Sequence, residues 1–281
     1  MRQTLHLVFL FSLLVNTLSA QQDDVWFEPN RGQWDSRILY RVPLQMGDFF
    51  IEKDKFTYAL SDLGEVYPAG HAGEEGENIQ HHTVFSHFLN SSWQGEFTES
   101  DSSTFYKNYF LGQNADKWAS KVRSYQKVEL KEYYPDIDLI LEATDDYIKY
   151  SFRVHPGGDP SQIKIFHEGA ESIVVNDGQV EINTRFGPVI ENGLKVWEEI
   201  DGQKRKGVAA KYQAAGDTVS FYFPNDYDEN EVLMIDPNLT FSSFTGSTSD
   251  NWGFTAAPDK DGDLYGDETI LEAAELEFRY E

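Results

Sequence analysis

Between Gln33 and Asp236 the apolar residues recur mainly at every second position, in short runs broken by Gly, Pro, Asn and Asp. A period of two puts alternate side chains on opposite faces of an extended chain, so the pattern demands strands rather than helices. The segments expected as strands are RILYRVPL, DFFIEKD, KFTYAL, HHTVFSHFL, DLILEA, IKYSFRVH, QIKIFHEG, SIVVND, QVEINT, TVSFYFP and EVLMID. Only NYFLGQNADKWAS, residues 108–120, and the terminal ETILEAAELEFRYE read as helical or irregular. The expected fold class is all-β, mainly antiparallel and sandwich-like, with minor helix.

The residues available can build such a core. The chain has 281 residues, 40% of them hydrophobic and 15% aromatic, which suffices for one large domain or two ordinary ones. There is no cysteine, so disulfides, thiolate nucleophiles and cysteine-bound metals are excluded. A net charge of −25 opposes nucleic-acid backbones and anionic membrane surfaces, and favours cations or basic partners.

Residues 1–20, MRQTLHLVFLFSLLVNTLSA, join Arg2 to an apolar stretch ending in small residues at Ala20. This is the pattern of a secretory signal peptide, and the apolar run falls short of the ~20 residues a membrane span requires. The expected location is secreted or cell-surface, with no membrane span after signal cleavage.

YYPDIDLILEATDDYIKYSFRVH, residues 133–155, collects Asp136, Asp138, Glu142, Asp145 and Asp146. A turn at Asp145 and Asp146 sets Ile137, Leu139, Leu141 and Ala143 against Val154, Phe152, Tyr150 and Ile148 on one face. On the other face Glu142 meets Lys149 and Asp138 meets Arg153, which makes the carboxylates solvated partners of cross-strand cations. The competing reading is a catalytic pair at Asp136 and Asp138. HPGGDPSQ, from His155, is expected as a turn and not a phosphate loop, since no Lys-Ser/Thr follows. NDG and DGQK mark further reversals.

The motifs FEPNRGQWDSRILYRV, YFLGQNADKWASKVRSYQKVELKEYYPDIDLI, IKYSFRVHPGGDPSQIKI, GQVEINTRFGPVIENG and VLMIDPNLTFSSFTGSTSDNWGFTAAPDKDGDLY occur in this order over residues 26–266. In this the chain resembles the N-terminal β-rich domain of unknown function of secreted or surface proteins of the Bacteroidota that carry SBBP, β-propeller-type, repeats. The resemblance implies export linked to gliding motility or type IX secretion. It divides the chain into a signal peptide (1–20), a β-rich domain (23–237), a partial repeat (238–266) and an acidic tail (267–281). Only fifteen residues follow Gly266, against the ~40–50 of a blade, so either a truncated or frame-shifted product or a short protein with a divergent tail is expected.

No catalytic residue and no resident cofactor is expected, and G-x-S-x-G, H-E-x-x-H and P-loop patterns are absent. Asp259, Asp261 and Asp263 alternate around Gly262 as calcium-loop carboxylates do, but Leu264 and Ile270 stand where the full loop needs Gly and an acid, which favours a hairpin turn. His81, His82 and His87, with Glu74, Glu75 and Glu77 upstream, invite a metal; His81 and His87 are expected on opposite faces of a strand, so that they do not converge. Glu28, Asp35, Glu191, Glu198 and Glu199 are candidates for two-carboxylate hydrolysis, with no pair singled out. Trp26, Trp34, Trp93, Trp118, Trp197 and Trp252 suit either sugar stacking or core packing. The leading expectation is a non-enzymatic surface module that supports or caps a repeat array and contacts proteins or glycans. The alternative is a polysaccharide-active enzyme or a carbohydrate-binding accessory domain.

Overall fold

The computed structural model describes residues 25–241, except 45, 62–79, 111, 145–147, 177 and 201–202. The signal peptide, Glu74, Glu75, Glu77, the Asp145–Asp146 turn, Trp252, the three aspartates from Asp259 and the tail lie outside the described residues.

Nineteen strands are described, and every expected strand has its counterpart among them. In chain order they are β1 Glu28–Pro29, β2 Ile38–Leu44, β3 Gly47–Glu52, β4 Lys55–Ser61, β5 His81–Phe88, β6 Phe97–Ser102, β7 Lys107–Tyr109, β8 Ala119–Val122, β9 Tyr125–Tyr134 and β10 Ile137–Ala143. There follow β11 Ile148–Val154, β12 Lys164–Glu168, β13 Ser172–Asn176, β14 Gln179–Thr184, β15 Gly187–Ile200, β16 Gln203–Val208, β17 Lys211–Ala215, β18 Thr218–Tyr222 and β19 Val232–Phe241. Among the described residues helix is confined to two 3-10 turns, Ala115–Lys117 and Pro160–Gln162. The second is the reversal expected at HPGGDPSQ: Asp159 caps it, its carboxylate accepting the Ser161 N–H at 2.9 Å.

Two antiparallel sheets carry the fold. One has the order β1-β2-β3-β4-β5-β12-β18-β17; the other runs β13-β14-β15-β19-β11-β10-β9-β6, with β16 added to β15. They meet face to face through aromatic rings, Phe56 against Tyr150 at 5.7 Å, Phe88 against Tyr133 at 5.3 Å and Phe152 against Phe221 at 6.2 Å. Edge-to-face pairs of this kind add about 0.5–1.5 kcal/mol each to the burial of the rings. On one flank the sheets are stitched by a bridge in which Phe27 and Tyr125 exchange backbone hydrogen bonds of 2.9 and 3.0 Å.

The β10–β11 hairpin has the expected register, with Ile137 opposite Val154, Leu139 opposite Phe152, Leu141 opposite Tyr150 and Ala143 opposite Ile148. NDG likewise joins β13 to β14, where Asn176 pairs with Gln179. β19 runs on to Phe241 in the middle of the nine-stranded sheet, and Leu239 is fully buried.

The β2–β3 hairpin depends on Gly47. Its φ is +125°, and a Cβ there would sit 2.0 Å from the Ala59 carbonyl oxygen on β4. Gly47→Ala is therefore expected to cost more than ~1 kcal/mol, since φ strain and a backbone clash coincide. Urea unfolding measures this, and a midpoint equal to that of the parent protein would contradict it.

Candidate functional site

The carboxylates of the β10–β11 hairpin lie on the outer face of the nine-stranded sheet. Glu142 is a partner of cations as expected, 2.8 Å from Lys127 and 3.7 Å from Lys149, and Lys149 goes on to Asp236 at 2.9 Å. Asp138 departs from expectation: its side chain is 2% exposed, so it is no solvated residue. It accepts the Glu132 N–H at 2.9 Å and lies 2.9 Å from His155 Nε2, 3.3 Å from Lys131 Nζ and 3.7 Å from Arg153. Burial pushes the Asp138 carboxyl up; the Glu132 N–H, His155 and Lys131 together outweigh it and hold the group below the usual carboxylate value.

Asp136 does not pair with Asp138. It sits at φ 58°, its N–H bonded to the Glu132 carboxylate at 3.1 Å and its carbonyl to the His155 N–H at 2.8 Å. Cations lie between the acids, Lys131 and Arg153 each joining Asp138 to Glu129. This arrangement stabilises two ion-pair chains and offers no carboxylate pair of the hydrolytic kind.

The expectation that the acids belong to wet surfaces is corrected more broadly, because Glu28, Glu191, Glu198 and Asp236 are also buried. Among the hydrolysis candidates each engages partners of its own. Glu28 takes Lys107, the Tyr109 hydroxyl at 3.0 Å and Arg41 at 3.7 Å, whereas Asp35 pairs with Arg37 at 3.0 Å. Glu198 accepts the Asp228 N–H at 3.0 Å, and its neighbour Glu199 accepts the Trp197 indole at 2.8 Å. Glu191 lies inside the sandwich and accepts the Tyr150 hydroxyl at 2.9 Å. Burial pushes it up to about 7, although the Tyr150 hydrogen bond works in the other direction. Its charge in turn adds to the burial that raises Tyr58, Tyr150 and Tyr212.

The interior also holds a Ser–His pair, Ser86 Oγ to His167 Nδ1 at 2.7 Å, which sequence reasoning missed. Both residues are 1% exposed, and burial drives His167 down to about 3. A base this weak and shut away from solvent cannot activate a serine toward a substrate.

His81 and His87 are placed otherwise than expected. β4 and β5 pair without a shift, so His81 and His87 share one face, and the six residue steps from one to the other keep them about 20 Å apart. His81 contacts Ser61 Oγ at 2.9 Å, and His87 contacts Glu168 at 2.9 Å. His82 spans the Gly169 carbonyl at 2.7 Å and the Arg185 N–H at 2.8 Å, tying one sheet to the other. Among the described residues no three His, Asp or Glu side chains converge as metal ligands. A hollow of about 20 Å³ beside Phe50, Lys55 and Phe85 has room for one water molecule.

Several aromatic side chains are exposed as well. Between β6 and β9 the chain makes an excursion, Ser103 to Ser124, closed at its neck by Ser103 N–H to Ser124 O at 2.8 Å and by Arg123 to Ser103 O at 2.6 Å. β7 and β8 pair within it, and Asn114 caps its single 3-10 turn. Lys107 and Tyr109 point inward and fasten it to Glu28, while Tyr109 also packs on Trp34 at 5.5 Å. Tyr106 and Phe110, which flank β7 on either side, stay on the outside. Phe105, Tyr106, Phe110 and Trp118 are all exposed, Phe110 at 61%, and Phe110 meets Trp118 edge to face at 5.6 Å. Trp93, by contrast, is a core residue. The signal for this site was the density of rings at Phe105, Tyr106, Tyr109, Phe110 and Trp118 in a stretch with no continuous apolar alternation to bury them all.

Fold and site define a class, an antiparallel two-sheet β-sandwich with an aromatic excursion at one end. The chain belongs to the family described as a domain of unknown function, DUF7948, which matches residues 27–238. No curated protein and no solved structure matches the chain. Among the described residues no helix is long and apolar enough to cross a membrane.

Proposed function

We propose that the protein is a non-enzymatic, exported module that acts by contact, supporting or capping a β-propeller-type repeat array and presenting a surface to protein or glycan partners. The observation that carries this reading is the aromatic excursion. Large rings held half out of a rigid scaffold serve recognition, and they lose little conformational entropy when covered. Two further features support it: the secretory pattern of residues 1–20, and the resemblance to SBBP-repeat proteins of the Bacteroidota linked to type IX secretion and gliding motility. The carboxylates argue in the same direction, because the hydrolysis candidates are engaged by separate donors.

The exposed rings of Phe110 and Trp118 also favour a second reading, a carbohydrate-binding accessory domain. Incubating the purified chain with a panel of polysaccharides separates the possibilities. No release of reducing ends is expected. Release that disappears on replacing one acid would make the protein a hydrolase and end the contact reading. Glycan-array binding without release, lost in Trp118→Ala, selects the accessory role.

A further inference from the structure

The end of β19 and the aromatic excursion lie at the same end of the nine-stranded sheet. Leu239, near the end of β19, pairs with Ile148 at the start of β11, and Ile148 with Ala143 at the end of β10. Glu142 then pairs with Lys127 near the start of β9, and Tyr125, its first residue, with Ser102, the last of β6. The excursion leaves β6 at Ser103 and returns to β9 at Ser124, so its nearer foot stands three strand spacings from β19 and its farther foot four. At ~4.8 Å each this is roughly 14–19 Å, a gap that about four to six extended residues cross.

The charges of the two stretches are complementary. In a chain of net charge −25, residues 103–124 hold Lys107, Lys117, Lys121 and Arg123 against Asp116, a net of +3. Lys117 and Lys121 are exposed beside the aromatic rings. The stretch after β19, residues 242–266, is SSFTGSTSDNWGFTAAPDKDGDLYG. It holds Asp250, Asp259, Asp261 and Asp263 against Lys260, a net of −3, and it carries Phe244, Trp252 and Phe254 among small residues.

We infer that the outward face of the excursion, Tyr106, Phe110 and Trp118 with Lys117 and Lys121, is the docking surface for residues 242–266 of the same chain. This rests on the contact reading and names the partner. Tethering to β19 gives the stretch an effective concentration in the millimolar range, so modest aromatic and charge contacts suffice to seat it. Docking covers rings that otherwise remain in water and hands whatever follows residue 266 to the sandwich in a fixed orientation.

The absence of cysteine makes the test direct. Gln113→Cys, exposed on the excursion, is combined with Asn251→Cys, and the control combines Asn230→Cys, exposed at the opposite end of the sheet, with the same Asn251→Cys. Under mild oxidation of dilute full-length protein, the Gln113/Asn251 pair is expected to close within the monomer at least tenfold faster than the control. Adding Phe110→Ala and Trp118→Ala should remove most of that advantage. Equal rates for the two pairs overturn the inference, as does cross-linking that runs only between two molecules, which would assign the face to a second copy. Equal rates together with Trp118-dependent binding of a neutral glycan overturn it in favour of an external ligand and leave the contact reading intact. Only release of reducing ends would remove that reading.

Discussion

Asp138→Ala is expected to destabilise the protein by about 1.5–3 kcal/mol, a substantial part of the ~5–15 kcal/mol that holds an ordinary domain together. The alanine removes the acceptor of the Glu132 N–H at 2.9 Å and one partner of Lys131, Arg153 and His155. Glu132 has φ 51°, at the point where the β9–β10 register shifts, so its N–H points at the carboxylate instead of into the ladder. Once the acid is gone, that strained and partly buried N–H loses its acceptor, and two cations keep only Glu129.

The comparison that isolates the cause is Glu142→Ala, four residues along the same strand and on the same face. Glu142 is 32% exposed and holds Lys127 at 2.8 Å, so its loss should cost only ~0.2–1 kcal/mol. Asp138→Asn keeps an acceptor for the Glu132 N–H while losing the charge, and should fall between the two. Urea unfolding at pH 7 ranks the three variants. Equal midpoints for the two alanine variants would show that burial of Asp138 does not decide the energetics.

That difference between Asp138 and Glu142 marks where the sequence stops being legible. The hairpin register was readable because two rows had to agree, apolar against apolar and acid against cation, and a slip of one residue would spoil both. The burial of Asp138 was not, because its cover comes from Lys131, Arg153 and His155, and the place of Lys131 depends on β9, a strand absent from the expected set. β15 was missed for a related reason. In GPVIENGLKVWEEI the acids Glu191 and Glu198 are buried, and a register shift between Asn192 and Lys195 breaks the parity that a period-two reading relies on. The excursion was read as helical or irregular from residues 108–120, and its one 3-10 turn flanked by β7 and β8 fits the second word. Its outward rings follow from the clamp on Glu28, whose side chain comes from β1, some eighty positions earlier in the chain.

The second large effect concerns pH, and it pits Glu191 against His167. Glu191 is held neutral by burial, with its folded value raised from 4.5 to about 7. Its contribution to stability is full below 4.5 and falls by about 3 kcal/mol as pH rises to 7, because the unfolded chain releases the proton first. His167 is held neutral as well, its folded value lowered from 6.5 to about 3. Its contribution is full above 6.5 and falls by about 5 kcal/mol as pH drops to 3, because the unfolded chain takes up the proton first. Between 4.5 and 6.5 the two gradients oppose each other, so the parent protein is expected to vary little there. Below that window the loss steepens, because the lowered carboxyls of Asp35, Asp138 and Glu142 give up their pairing over the same range as His167. Glu191→Gln removes one gradient while leaving an acceptor for the Tyr150 hydroxyl, so the stability of the variant relative to the parent should grow by about 3 kcal/mol from pH 4.5 to pH 7 and stay level beyond. Denaturant unfolding at half-unit pH intervals reads this directly. A difference between variant and parent that does not change with pH would mean that Glu191 is charged inside the sandwich at neutral pH, balanced by a cation that the neutral tyrosines around it do not supply.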